Sequence, residues 1–425
     1  MQQRLSDVAE LIMGQSPPST SYNDSGDGMP FYQGKSDFGF RHPTPRLFCN
    51  EPLKMARTGD ILISVRAPVG PTNIADTECC IGRGLGAIRP KDIDGEYLYF
   101  NLRFIEKHIA SLGSGTTFRS INKAQLGDVE VNAAGYSLPE QREIATILGQ
   151  VQKAIEEQER LLALTAELKR TLLHQLFTQG LRGEIQKQTE IGPVPESWDV
   201  VPCEQLCGMI TVGVVVKPTS HYVKKGVPAF RSFNVREDRL VPNELVYFSD
   251  ASNDTYLAKS KLRADDVLVV RTGYPGTSCV VPKEYDGANC IDLVILRPHA
   301  KMINSGFLSR FFNSPEGKRQ ALAGKHGLAQ QHLNVGAVKR TLIPVPRVEE
   351  QVEIDFAFAT VQKKMLNIEN QRSTLSDLFR TLLYQLMTGQ ISLNEANTTN
   401  LRVFAPSREN TNAASREAAK NAKGV

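Results

Sequence analysis

A 39-residue stretch, Glu140–Thr178, recurs as Glu350–Thr388 without a gap, every position displaced by 210 residues. Sixteen of the 39 aligned pairs are identical, including Val151-Gln152-Lys153 with Val361-Gln362-Lys363 and Arg170–Leu173 with Arg380–Leu383. Two unrelated amphipathic helices would not match in this way. Neither copy contains proline, glycine occurs once (Gly149), and strong helix formers dominate, so both read as long helices. In the second copy Ile354, Phe358, Val361, Met365, Ile368, Leu375, Phe379, Leu382 and Leu386 follow alternating steps of four and three, interrupted only at Arg372. The first copy holds that register less well. Gln158, Thr165 and Lys169 occupy seam positions there, while Leu161, Leu164 and Leu168 move the apolar stripe over by one residue, as in a stutter. At about 1.5 Å per residue each helix is roughly 60 Å long. Neither can bury its stripe alone, and antiparallel pairing within the chain is the economical solution.

The repeat extends beyond the helices. Asp60 in GDILISVRAPVG has a counterpart at Asp266 in DDVLVVRTGYPG, and Arg89-Pro90 corresponds to Arg297-Pro298. The helical run from Tyr97 corresponds to that from Phe307, and Ile121-Asn122 to Leu333-Asn334, with displacements of 206 to 212 residues. Order is kept while loops vary, which is one unit used twice. The expected organisation is a first module over 1–137, a long helix over 138–185, a second module over 186–346 and a second helix over 347–392. A flexible Asn/Thr/Ser/Ala-rich tail over 393–425 completes it. Gln186–Pro195 reads as a linker by composition. Short β-branched strands, Gly/Pro-rich turns and one or two helices per module imply an α+β fold. The paired helices would form an intramolecular coiled coil, relating the halves by a pseudo-two-fold axis.

A chain of 425 residues is too long for one ordinary core, in line with two modules. The formal charge of +4 permits a nucleic-acid partner without arguing for one, so any basic surface must be local. No apolar run approaches a membrane span, and the N-terminus is no signal peptide, pointing to a cytoplasmic protein with no membrane partner. Seven cysteines, with Cys79-Cys80 adjacent and Cys203/Cys207 a lone C-x3-C, read as buried thiols of a reducing compartment and not as metal ligands.

Catalytic signatures are missing. There is no Asn/Asp-Pro-Pro-aromatic loop, no phosphate-binding G-x-x-x-x-G-K-[ST], no H-E-x-x-H and no G-x-S-x-G. Gly82-Arg-Gly-Leu-Gly86 precedes a strand where a dinucleotide motif would follow one, and reads as a backbone turn. Asp265-Asp266 reads as a turn before a strand. What remains is a device that holds two unequal readers apart, suited to a split duplex target whose half-sites lie about 34–36 Å apart per DNA turn. Candidate DNA-binding residues are Arg41 (with His42), Arg66, Arg83, Arg119 and Lys123 in the first module. In the second they are Arg231, Arg236, Arg271, Lys325 (with His326), Gln330, Gln331 and His332. Arg and Gln can bond guanine and adenine edges bidentately, while Lys mostly meets phosphate. For any single one of them a solvated charge or an internal ion pair is the simpler role.

The two EQ-x-E-I…RTLL-x-QL helices, GDILISVRAPVG with IGRGLGAIRP, and GTTFRSINKAQL leading into LPEQREIA resemble the specificity subunits of type I restriction–modification enzymes. The resemblance covers nearly the whole chain to about Leu393. It implies two target recognition domains, each reading half of a bipartite, asymmetric DNA sequence. It also implies long helices that set the spacer and dock two modification subunits, with restriction subunits joining them. Spacer or docking residues would be Gln141, Ile144, Val151, Leu168, Leu172 and Leu176 on the first helix. On the second they would be Gln351, Ile354, Val361, Leu378, Leu382 and Leu386. Thr165-Ala-Glu-Leu168 resembles a four-residue spacer unit that occurs once here. No cofactor is implied for this chain: S-adenosylmethionine, ATP and Mg belong to the other subunits. Competing readings are a single-chain methyltransferase or nuclease with an unrecognised active site, and a coiled-coil scaffold that binds only proteins.

Overall fold

The computed structural model describes residues 2–113, 120–133, 135–322 and 333–396. The chain divides into two compact units, residues 1–160 with 370–425 and residues 161–369. Each unit therefore combines one module with one part of each long helix, Leu138–Gln179 and Val348–Thr388.

In the first unit the main sheet is antiparallel, with strand order Ala9–Met13, Leu85–Pro90, Ile61–Ser64, Thr72–Ile74. A smaller sheet orders Tyr22–Asn23, Leu47–Cys49, Met29–Tyr32, Cys79–Ile81 and Met55–Ala56, with Met29–Tyr32 and Cys79–Ile81 parallel. In the second unit the main sheet orders Cys207–Val212, Leu293–Pro298, Val267–Val270, Ser278–Val280. Its smaller sheet orders Tyr222–Val223, Val246–Phe248, Val227–Phe230, Asn289–Cys290. Both central main-sheet strands, Ile61–Ser64 and Val267–Val270, are buried throughout, as their continuous apolar runs require.

The sequence repeat is a repeat of hydrogen bonds. Asp60 receives two bonds from Arg89, at 3.0 and 2.8 Å, and Asp266 receives two from Arg297, both at 2.8 Å. Such forked, charge-assisted pairs tie the start of one strand to the end of its neighbour. Asp94 caps Gly95–Phe104 by accepting from Tyr97 N at 3.0 Å, and Asn304 caps Ser305–Asn313 by accepting from Phe307 N at 2.8 Å. Asn122 and Asn334, matched in the sequence, cap Lys123–Gly127 and Val335–Arg340 in the same way.

Within each unit the helix segments run antiparallel. In the first, Glu159 lies 3.7 Å from Arg372 while Tyr136, just before the helix, donates to Leu386 O at 2.7 Å. Ile144, Leu148, Val151 and Ile155 share a core with Leu375, Phe379, Leu382 and Leu386, and Phe100 packs its ring 6.0 Å from that of Phe379. In the second unit Lys169 donates to Gln362 at 2.9 Å and Leu181 N to Glu350 at 3.4 Å, while Leu173, Leu176 and Phe177 share a core with Ile354 and Phe358.

Three expectations need correction. Leu161, Leu164 and Leu168 do not carry the apolar stripe inward: they are 44, 52 and 57% exposed, and the buried seam runs through Lys169, Leu173, Leu176 and Phe177. Gln186–Pro195 is no plain linker, since Gln186–Thr189 and Gly192–Pro195 pair as a hairpin with Gln186 Nε2 bonded to Thr178 O at 2.7 Å. The tail does not begin at 393, because residues 393–396 are helical and Ala396 is fully buried in the first unit's core. The remainder of that tail lies outside the described residues.

Candidate nucleic-acid interface

The candidate reading residues separate into exposed and engaged groups. In the first module Arg66 and Arg83 are exposed at one end of the main sheet. Val65 N donates to Gly84 O at 2.9 Å, Arg66 forms a β-bridge with Ser120, and Arg83 N donates to Ser16 Oγ at 3.3 Å, which brings the three loops together. Gly84 is required there: a Cβ would overlap Gln33 O. Lys123 is exposed at the first turn of its short helix, where Leu126 anchors the other face. Neither Arg66, Arg83 nor Lys123 makes an ion pair among the described residues.

Arg41 is not available in this way. It pairs with Glu96, donates to Gln152 Oε1 at 3.2 Å and lies over the Tyr99 ring at 5.4 Å. Arg271 is likewise turned inward, 2.5 Å from Asp292 and bonded to Leu333 O at 3.1 Å. Arg231 donates to Glu244 O at 2.5 Å and stacks on Phe233 at 4.4 Å, half-buried. Of that module's candidates Arg236 stays exposed, on the Val235–Arg236/Arg239–Leu240 hairpin. An arginine's chemistry reads the same in sequence whether its partner is a carboxylate of its own chain or a base. Arg119, Lys325, His326, Gln330, Gln331 and His332 lie outside the described residues.

The helix residues offered as spacer or docking positions mostly face inward. Ile144, Val151, Leu176, Ile354, Leu382 and Leu386 are buried in the cores of their own units, and Leu172, Val361 and Leu378 are half-buried. Gln141 and Gln351 are buried and hydrogen-bonded to their modules. Leu168 is the exposed member.

A basic edge escaped the sequence reading. In the second module the segment before and along edge strand Tyr222–Val223 exposes Val215, Val216, Lys217, Lys224 and Lys225. The His221 ring lies 6.4 Å from that of Tyr256, which is 84% exposed. The same edge of the first module, around Tyr22–Asn23, carries exposed Asp24 and Asp27 and no lysine. Alignment of Pro18 and Tyr22 with Pro218 and Tyr222, both displaced by 200 residues, was the available signal. Tyr274 is 76% exposed in the turn after Val267–Val270, held there by Gly273 and Gly276 at φ 94° and 90°.

The seven cysteines are free and buried, and burial pushes the Cys79 thiol up to about 12 and the Cys80 thiol to about 11. Among the described residues no three His, Cys, Asp or Glu side chains gather as a metal site, and no helix is long and apolar enough to cross a membrane.

The profile of a family described as "Type I restriction modification DNA specificity domain" matches residues 1–166. Residues 1–166 thus match a type I restriction–modification specificity domain, and the chain is similar to proteins described as type I specificity subunits. A putative type I restriction enzyme MjaX specificity subunit of Methanocaldococcus jannaschii is 41% identical over 175 residues, 41% of either chain. The match thus spans less than half of that relative's length. The MjaIX specificity subunit of the same organism is 21% identical over 92% of this chain and 93% of its own. Among solved structures, a type I restriction-modification S subunit from M. genitalium superposes with a TM-score of 0.61 at 14% identity, over 91% of this chain and 95% of that one. That likeness shows the fold. The specificity-domain profile covers the first module and part of its helix, and the second module repeats that module's strand order, caps and forked ion pairs.

Proposed function

We propose that this chain is the DNA-reading, non-catalytic subunit of a type I modification or restriction complex. Each module reads one half of a bipartite, asymmetric duplex sequence, and the long helices hold the modules and dock two modification subunits, with restriction subunits added. S-adenosylmethionine, ATP and Mg are used on those other subunits. The observation that carries the reading is the specificity-domain match on residues 1–166, a module whose hydrogen-bond pattern recurs in the second unit. Exposed Arg66, Arg83 and Lys123 are the first module's candidate DNA contacts. Arg236 and the Lys217, Lys224, Lys225 edge are those of the second. Lysines spaced along an edge suit phosphates, whereas arginines at loop ends suit base edges.

The test is methyl transfer to duplex DNA. The purified chain with S-adenosylmethionine should transfer none, and adding its cognate modification subunit should give adenine methylation at a split sequence. Turnover by the lone chain would replace this reading with that of a single-chain methyltransferase. Failure to bind duplex DNA in a salt-dependent way would remove the nucleic-acid role and leave a scaffold that binds only proteins.

A further inference from the structure

Each module extends a hairpin toward its helices, and the two hairpin tips carry opposite charges. In the first module the hairpin closes through the Phe38–Pro43 bridge, between the turn Lys35–Asp37 and strand Leu47–Cys49, with Arg41 near its tip. In the second, Val235–Arg236 pairs with Arg239–Leu240 between the turn Ser232–Asn234 and strand Val246–Phe248, with Asp238 at the tip. Asp238 adopts a left-handed conformation, φ 63°, that L-residues seldom take.

Both tips enter sockets built from matched positions. Arg41 meets Glu96, the Tyr99 ring and Gln152, and Gln152 Nε2 donates to the Tyr99 hydroxyl at 3.1 Å. Asp238, with no exposed side-chain surface, lies 2.6 Å from Lys169 Nζ and 2.6 Å from Arg310 Nη1, and accepts from Asn313 Nδ2 at 2.8 Å. Lys169 also donates to Gln362 Oε1 at 2.9 Å. A displacement of 210 residues converts Glu96, Tyr99, Phe100, Arg103 and Gln152 into Gly306, Ser309, Arg310, Asn313 and Gln362. The same displacement relates Lys169 to Phe379, whose ring in the first unit lies beneath Arg103 at 5.0 Å. One frame thus carries two sockets of reversed polarity. Glycine, Gly306, stands at the place of Glu96 in the second, where Arg310 also lies 3.3 Å from the Asp355 carboxylate. Burial alone would push the Asp238 carboxyl up, but Arg310 and Lys169 outweigh it and hold it below the ordinary value.

We propose that Arg41 and Asp238 are positioning residues that seat their modules' hairpins by opposite charges. Arg41 does so on Glu96 of the module's own helix and Gln152 of the long helix, Asp238 on Arg310 of the module's own helix and Lys169 of the long helix. The proposal rests on the specificity-subunit reading: a module seated by its key presents its half-site loops in a fixed pose. Asp238 has no exposed side-chain surface, so leaving it without its counter-charges is costly. At the partly exposed Arg41 site a reversed charge meets Glu96 as a like charge and unseats the hairpin.

The test uses the chain assembled with its modification subunit, and duplexes in which one or the other half of the methylated sequence is scrambled. Arg41→Glu should weaken discrimination at the first module's half-site by about tenfold or more and leave the second within about twofold. Adding Glu96→Arg should restore it, because the Gln152 amide can turn to serve either polarity. Unchanged discrimination in Arg41→Glu, or none restored by the double variant, would overturn the proposal. Amide exchange supplies an arm that needs neither DNA nor a drastic variant. Lys169→Met should speed exchange across residues 235–240 by about tenfold or more and leave strand Val267–Val270 unchanged. Equal exchange in both proteins would also overturn it. If the wild-type complex methylates no split sequence, the specificity reading fails, and the exchange arm still decides whether the key exists.

Discussion

Gln141 and Gln351 stand at the same place in their helices, and each accepts one hydrogen bond from a helix cap and donates two to backbone carbonyls. Two of the three partners are matched at a displacement of 210 residues. Gln141 Oε1 accepts from Asp94 N at 2.9 Å while its Nε2 donates to Ala133 O and Tyr136 O, both at 3.0 Å. Gln351 Oε1 accepts from Asn304 N at 2.7 Å while its Nε2 donates to Met302 O at 3.1 Å and Pro346 O at 2.8 Å. Each glutamine joins the cap of its module's helix to the chain that enters the long helix. Changing either to leucine strands one buried N–H and two carbonyls, so each variant should lose about 1–3 kcal/mol of stability in denaturant unfolding. Equal stability would mean that water replaces the amide.

Asp238 gives a pH signature. Its folded-state pKa is lowered by Arg310 and Lys169 against burial, so it contributes stability above the unfolded carboxylate value of about 3.9. That contribution is lost as pH falls through the lowered folded value. Asp238→Asn should therefore be less stable than the native chain at neutral pH, and the gap should narrow on acidification below about pH 4. Urea unfolding of both proteins across that range is the measurement. A gap that is constant with pH would contradict the ion-pair account.

The thiols offer a test of packing. With all seven buried and free, and Cys79 and Cys80 pushed up to about 12 and 11, native protein should react slowly with a charged thiol reagent at pH 8. Unfolding should release all seven. Rapid modification of the native protein would show the cores open.

The basic edge predicts an asymmetry in salt dependence. Each phosphate neutralised contributes about 0.9 to the slope of log affinity against log salt, so replacing Lys217, Lys224 and Lys225 by alanine should lower it by about 2–3. Neutralising Asp24 and Asp27, on the matching edge of the first module, should not lower it. An unchanged slope in the lysine variant would take that edge off the DNA.

Much of this architecture was legible because the repeat is covalent information. Asn122 and Asn334 could be paired in sequence, and both prove to be helix caps. Asp60 with Arg89 and Asp266 with Arg297 could be matched as positions, though not as partners, because their 29- and 31-residue separations carry no local periodicity. The seam lapse at Lys169 read as a faulty register. It is instead a buried cation answering Asp238, 69 residues away in sequence. Arg41 and Arg271 misled for the same reason: which carboxylate lies within reach depends on the fold. The Lys217–Lys225 edge was overlooked because lysines without a matching pattern carry no periodic signal, and only alignment with Asp24 exposes the charge reversal.

Whether each module reads its own half of a split target is decided by where methylation falls. Adenine methylation is mapped genome-wide in cells carrying this chain with its modification subunit, and again after residues 1–137 are replaced by the first module of a relative. The account predicts methylation at a bipartite sequence, with one half changed by the replacement while the other half and the order of the halves persist. Methylation that is independent of the chain, or a replacement that alters both halves, would contradict it.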